Sequence, residues 1–201
     1  MRLFREPLLQ LSEYENIRKN LQEKECPVGV EGCVDAQKTH WMASFSGDYP
    51  IKLIITHSEK RVKEIYEDYR FFDKNVYSYP ARDIIFYSAD VHGQLLVGQR
   101  LSVIQRLLEG EPVTVVTTID GLMDSLLPPE RLAEQIIRIQ EGGVADQESL
   151  VKRLVHMGFE RAVQVEGPGQ FSVRGGILDV YNLADDCPYR IEFWDDEIDT
   201  I

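Results

Sequence analysis

Basic charge is scarce in this chain. Lys and Arg number 22 against 34 Asp and Glu, for a net charge of −12. A duplex-binding surface needs cations to displace counterions at the phosphates. The chain as a whole is therefore expected to repel nucleic acid, and any DNA contact of its own to be weak and salt-sensitive. Cysteine is scarce too. Cys26, Cys33 and Cys187 form no Cys-x-x-Cys pair and no Cys/His cluster, which argues against a zinc site and fits a reduced, cytoplasmic protein. No apolar run reaches the roughly 18 residues that span a bilayer. Arg2, Arg5 and Glu6 interrupt any N-terminal signal segment. No membrane partner is expected. His40, His57, His92 and His156 are scattered without a partner pattern. No nucleophile elbow occurs, and Asp195, Asp196, Glu197 and Asp199 lack the alternation and central Gly of a calcium loop. No catalytic residue and no metal ligand are expected.

What is present is ordinary for a globular chain: 43% hydrophobic and 28% charged residues over a length that suits one or two domains. Apolar spacing predicts helices over residues 7–22, 34–45, 58–69, 95–108 and 119–126. Short apolar runs predict strands over 27–30, 51–56, 76–79 and 113–117, with 81–93 irregular. The run Ile51 to Thr56 reads as a strand covered on both faces. Strand and helix thus alternate to about residue 126, which predicts a mainly parallel α/β sheet with helices on both sides. Pro128-Pro129 marks a change of regime. A strand at about 135–140 and a helix at about 147–157 follow. The expected domains are 1–128 and 129–201, the second a small α+β domain.

That second domain ends in the stretch Gly167 to Asp199. Gly167-Pro168-Gly169, Gly175-Gly176 and Asp185-Asp186-Cys187-Pro188 separate three runs rich in β-branched and aromatic residues, the pattern of an antiparallel meander. Alternation puts Phe171, Val173, Leu178, Val180, Ile191 and Phe193 inward. It puts Ser172, Arg174, Ile177, Asp179, Tyr181, Arg190, Glu192 and Trp194 outward. Such a face is either an ordinary solvated surface or an interface, where Arg and Trp are over-represented as anchors.

Gly29-Val30-Glu31-Gly32 lies where a phosphate-binding loop would, before a helix. A working loop reads Gly-x-x-x-x-Gly-Lys-(Ser/Thr), its Lys meeting phosphate and its hydroxyl holding Mg²⁺. Counted from Gly29, those functional positions hold Val34, Asp35 and Ala36. A carboxylate stands where the lysine should be. The segment reads as a helix-capping turn, and no nucleotide is expected there.

Arg174-Gly-Gly-Ile-Leu-Asp-Val-Tyr181 and Arg190-Ile-Glu-Phe-Trp-Asp-Asp-Glu-Ile198 resemble the second domain of the bacterial transcription-repair coupling factors and, more distantly, that of the excision-repair protein UvrB. The ruined loop and the segment from Tyr79-Pro80-Ala81 to Arg100-Leu101 resemble that family's first domain. Arg82 departs from it, standing where an aromatic is usual, and residues 80–94 are too short for the DNA-clamping hairpin of UvrB. The resemblance implies a RecA-like domain with a degenerate P-loop, then a domain that recruits UvrA through Arg174, Arg190 and Trp194. It implies no cofactor in this segment. ATP and Mg²⁺ would belong to a motor elsewhere in the parent protein, an ATP-dependent DNA translocase, and RNA polymerase and DNA to further absent domains. The segment itself is expected to be a monomer. The reading set against it is a P-loop ATPase or helicase piece that binds nucleotide or DNA itself.

Overall fold

The computed structural model describes residues 5–24, 27–81, 91–185 and 187–201, of which 91–94 as backbone only. Cys26, Arg82 and most of the stretch expected to be irregular lie outside the described residues. Contacts divide the chain into two units. One runs to Ala81 and includes Glu109–Asp124; the other holds Arg82–Leu108 and Ser125–Ile201.

In the first unit a 3-10 turn over Glu6–Gln10, with Pro7 in its first turn, precedes helix α1 (Ser12–Gln22). The single helix expected over 7–22 is broken at Leu11, whose backbone is extended (φ −95°, ψ 124°). The break lets Leu8 and Tyr14 both pack on Trp41 of α2 (Asp35–Ser46). Residues 27–30, expected as a strand, form none. Strand β1 (Ile51–Thr56), helix α3 (Glu59–Tyr69) and strand β2 (Val76–Tyr79) follow. Ser58 caps α3, its hydroxyl accepting from the Arg61 N–H at 3.3 Å. Helix α4 (Val91–Glu109), which starts ahead of the Leu95 expected for it, belongs to the second unit but for its last residue; β3 (Val113–Thr118) and α5 (Ile119–Met123) complete the first.

The three strands form a parallel sheet in the order β1-β3-β2, with Ile51 opposite Val113 and Val76 opposite Thr114. Val62, Ile65 and Tyr69 of α3 pack with Ala43, Val76 and Val116, joined by Ile54. The other face of β1 departs from the expected two-sided cover. Ile51, Leu53 and Ile55 are all about half exposed, and among the described residues β1 is an edge strand. A continuous apolar run does not by itself say how many faces are covered, and an edge strand has a neighbour on one side only.

A polar pin crosses this sheet. Lys52 Nζ lies 2.7 Å from Asp73, and the Asp73 carboxylate also accepts from the Thr114 hydroxyl at 2.8 Å and from the Asn75 N–H at 2.9 Å. Burial pushes the Asp73 carboxyl up, but the bonds from Lys52, Asn75 and Thr114 outweigh it and hold the group below its usual value. Thr114 is fully buried. Thr114→Val keeps the shape and removes one hydrogen bond to a charged group, so it should lower stability by about 1.5 kcal/mol. Urea unfolding of the two proteins checks this; no loss would mean that water replaces the hydroxyl.

In the second unit α6 (Pro129–Glu134) occupies the start of the new regime. The strand expected at 135–140 does not form. Ile137 and Ile139 pack against the core from irregular chain, so their burial does not depend on ladder bonds. Helix α7 (Gln147–His156) is capped by Asp146, whose carboxylate accepts from the Ser149 N–H at 2.9 Å. Strands β4 (Glu160–Arg161), β5 (Gln170–Arg174), β6 (Ile177–Val180), β7 (Tyr189–Trp194) and β8 (Glu197–Thr200) form one sheet in sequence order. β4 and β5 are parallel and the rest antiparallel, which is the expected meander with a strand added at each edge. Leu150 and Leu154 of α7 cover Phe171, Leu178, Ile191 and Ile198. Val173, Val180 and Phe193 join from the margin, so Phe193 is not the central aromatic. The β5–β6 turn needs its glycines: Gly175 has φ +59°, and a Cβ on Gly176 would come 2.7 Å from the Phe193 carbonyl oxygen.

Candidate interaction site

The register of the meander sets two side-chain rows on one face. Ser172, Asp179 and Arg190 lie directly across from one another in one row; Arg174, Ile177 and Glu192 do so in the next. The two arginines meet on one carboxylate. Arg190 grips Asp179 with both ends of its fork, Nε to Oδ1 at 2.7 Å and Nη2 to Oδ2 at 3.1 Å. Arg174 Nη2 donates to the same Oδ2 at 2.5 Å. The Asp179 side chain is only 12% exposed, whereas those of Arg174 and Arg190 are 53% and 57% exposed. The anion is a buried base and the cations stand out of it. It forms the floor of a hollow of about 410 Å³, rimmed by Gln164, Pro188 and Tyr189. A larger hollow of about 710 Å³ in this unit is lined by core residues such as Leu178, Val180 and Ile191 and includes none of Arg174, Arg190 and Trp194.

Trp194 ends β7 on the same side as Arg190 by alternation, and is 81% exposed. A register shift occurs between Glu192 and Phe193 in the pairing with β8. Ile191 stays buried, Phe193 stays in the core margin and Trp194 stays out. The face is not uniformly solvated, as the bland reading had it. Ser172 is buried and donates to the Val163 carbonyl at 2.9 Å, so the segment after β4 covers one end. Arg174, Arg190 and Trp194 occupy the open remainder.

Asp179 was not singled out from the sequence. Alternation alone puts it on the right face; its role depends on which residue of β7 lies opposite, which alternation does not determine. Its carboxyl is held below the usual value, first by the hydrogen bond from Arg190, against the opposing effect of burial, and then by Arg174. A depressed folded pKa stabilises the fold above the unfolded value of about 3.9, and that contribution disappears as pH falls through the folded value. The stability gap between the natural protein and Asp179→Asn should therefore narrow below a pH of about 3.9. Melting curves across a pH series read this; a constant gap would mean that the carboxylate charge is not what the arginines hold.

The glycine loop is built differently. A Cβ at Gly29 or Gly32 would meet nothing within 4 Å, and only Gly32, with φ +78°, needs its freedom. Among the described residues no strand feeds the loop, and Val34 is exposed, as is Ala36. Asp35 opens α2 and is paired with Lys38 Nζ at 3.2 Å and Arg61 Nη2 at 2.9 Å. Those two cations, the hydrogen bond from Lys38 first, hold its carboxyl below the usual value. A carboxylate thus takes the nearby positive charge that a phosphate would use. Among the described residues no cluster of His, Cys, Asp or Glu could hold a metal ion, and no helix is long and apolar enough to cross a membrane.

Residues 137–201 match the family model of the UvrB interaction domain. That span contains the whole arginine fork and Trp194. The chain is 37% identical over 150 residues to the transcription-repair-coupling factor of Bacillus subtilis, covering 74% of this chain and 13% of that protein. It is 30% identical over 156 residues to the same factor of Staphylococcus epidermidis, and 30% over 151 residues to that of Staphylococcus aureus.

The chain is a relative of the transcription-repair-coupling factors.

The resemblance to the N-terminal region of that family, read from the two meander motifs, is borne out. Two features singled out in the sequence now have a geometry: the arginines converge, and the glycine loop precedes a paired Asp35. The chain spans about 13% of the length of the curated relatives it matches.

Proposed function

We propose that this chain is the non-catalytic, UvrA-recruiting module of a cytoplasmic coupling factor acting in transcription-coupled nucleotide excision repair. The observation that carries the reading is the outer face of the meander. Two arginines are fixed on one buried carboxylate beside an exposed tryptophan, inside the span matched by the interaction-domain model. Arg and Trp are the residue types that anchor interfaces. Guanidinium groups fixed in orientation suit charge-assisted, two-point bonds to carboxylates.

On this reading the first unit is a RecA-like domain whose nucleotide loop has degenerated. The parallel three-stranded sheet and the glycine loop ahead of α2 support it. The whole protein is then an ATP-dependent DNA translocase that displaces stalled RNA polymerase, with motor, polymerase and DNA sites outside this segment. The alternative, a segment that itself binds nucleotide, asks for a cation at position 35. Asp35 instead binds Lys38 and Arg61. Calorimetric titration with millimolar Mg-ATP should give no saturable heat. Saturable binding abolished by changes between Gly29 and Ala36 would restore the alternative.

The proposal itself is tested by titrating purified UvrA with this chain. Saturable binding that survives physiological salt is expected, and no binding at micromolar concentrations would defeat it.

A further inference from the structure

Asp179 does not itself stand out toward a partner. Its carboxylate is buried and both of its oxygens are taken up by the arginines. We propose that Asp179 is a positioning residue, which locks Arg174 and Arg190 into one preorganised two-cation fork and so sets how long a bound partner stays. The inference rests on the reading that this face binds UvrA.

The chemistry follows from the bonds. A guanidinium has its donors in a planar, rigid fork. Arg190 gives Nε–H and Nη2–H to Asp179, and Arg174 gives Nη2–H. Its own Nε–H, and the Nη1 groups of both, remain for a partner. Two cations share the one buried anion, and Glu192, on the same face in the next row, acts on Arg190 from the side. Free arginine side chains are rich in rotamers, and immobilising them at association is costly. Here the cost is met on folding, because Asp179 lies directly across from Arg190 in the β6–β7 ladder and beside the row of Arg174.

Positioning and charge give opposite signs for one substitution. Asp179→Asn removes a negative charge, so a site acting through charge alone should bind an acidic surface faster and more tightly. A site that depends on the lock should lose affinity even though its positive charge has grown. We expect dissociation of UvrA to speed up about tenfold, with association no slower. We also expect the Arg190 Nε–H resonance, slow to exchange with water in the natural protein, to exchange fast in the variant. That second readout needs no partner.

The experiment compares UvrA association and dissociation rates for the full chain, Asp179→Asn and Arg190→Ala, with Nε–H exchange and a melting curve for each. If Arg190→Ala weakens binding and Asp179→Asn does not, the positioning role is overturned while the site stands. If Arg190→Ala has no effect, the site reading falls and the positioning role with it. Should Asp179→Asn fail to fold, Asp179→Glu takes its place. It keeps the charge and displaces the carboxylate by one methylene; fast exchange with faster dissociation is expected, and fast exchange together with unchanged dissociation would overturn the proposal.

Discussion

Phe171→Ala is expected to unfold the second unit, at a loss of about 3–5 kcal/mol. Phe171 is fully buried, and Leu150, Leu154, Leu178, Ile191 and Ile198 are the buried members of its cluster. It sits on β5, directly across from Val180. Emptying the site leaves a cavity that the hydrogen-bonded strands around it cannot collapse to fill, and a single domain has only about 5–15 kcal/mol of net stability to lose. Phe193→Ala should be milder, because Phe193 is half-buried at the margin of the cluster. Trp41, buried in the first unit, gives a separate fluorescence probe. With Trp194 replaced by Phe so that Trp41 is the single tryptophan, denaturation curves followed by its fluorescence and by circular dichroism should show the second unit failing while the first persists. Equal losses from the two phenylalanine variants would mean that the core is centred elsewhere.

Arg190→Ala, Arg174→Ala and Trp194→Ala should do the opposite: leave the fold standing and abolish most of the binding. Trp194 is 81% exposed, and substitutions of such residues usually change stability by within about 0.5 kcal/mol. The arginine variants will cost somewhat more, since each leaves Asp179 with one cation in place of two. Truncating an interface anchor typically costs roughly 2 kcal/mol or more of binding free energy, which is about a thirtyfold loss of affinity for UvrA. Calorimetric titration and melting curves separate the two effects. Normal binding by the arginine variants, or melting of Trp194→Ala as severe as that of Phe171→Ala, would show that the face is structural.

Much of this was legible from local pattern. The inward and outward sets of β5, β6 and β7 follow from strict alternation between glycine and proline breaks. The fragmentary parts are those where contact decides. Ile137 and Ile139 carry strand-like residues yet pack without a ladder, because a strand needs a partner and a core contact does not. The break at Leu11 serves a contact with Trp41, far along the chain. Asp179 could be placed on a face but not beneath two arginines, since its neighbour across the ladder depends on how the chain from Tyr181 to Pro188 returns. Periodicity is a property of one segment; register belongs to two.

The exposed face of β1 bears on how this chain behaves at high concentration. An edge strand offers unpaired N–H and C=O groups, and here Ile51, Leu53 and Ile55 add an apolar strip beside them. The charge within that strand, Lys52, is turned away into its pair with Asp73 and guards nothing. The net charge of −12 opposes contact between copies, a repulsion that acts over about 8 Å at physiological ionic strength and shrinks as salt is added. Colloidal stability of the chain therefore depends on dilute electrolyte: salt that merely weakens a charged interface elsewhere on the molecule will, at this edge, favour the joining of strand to strand.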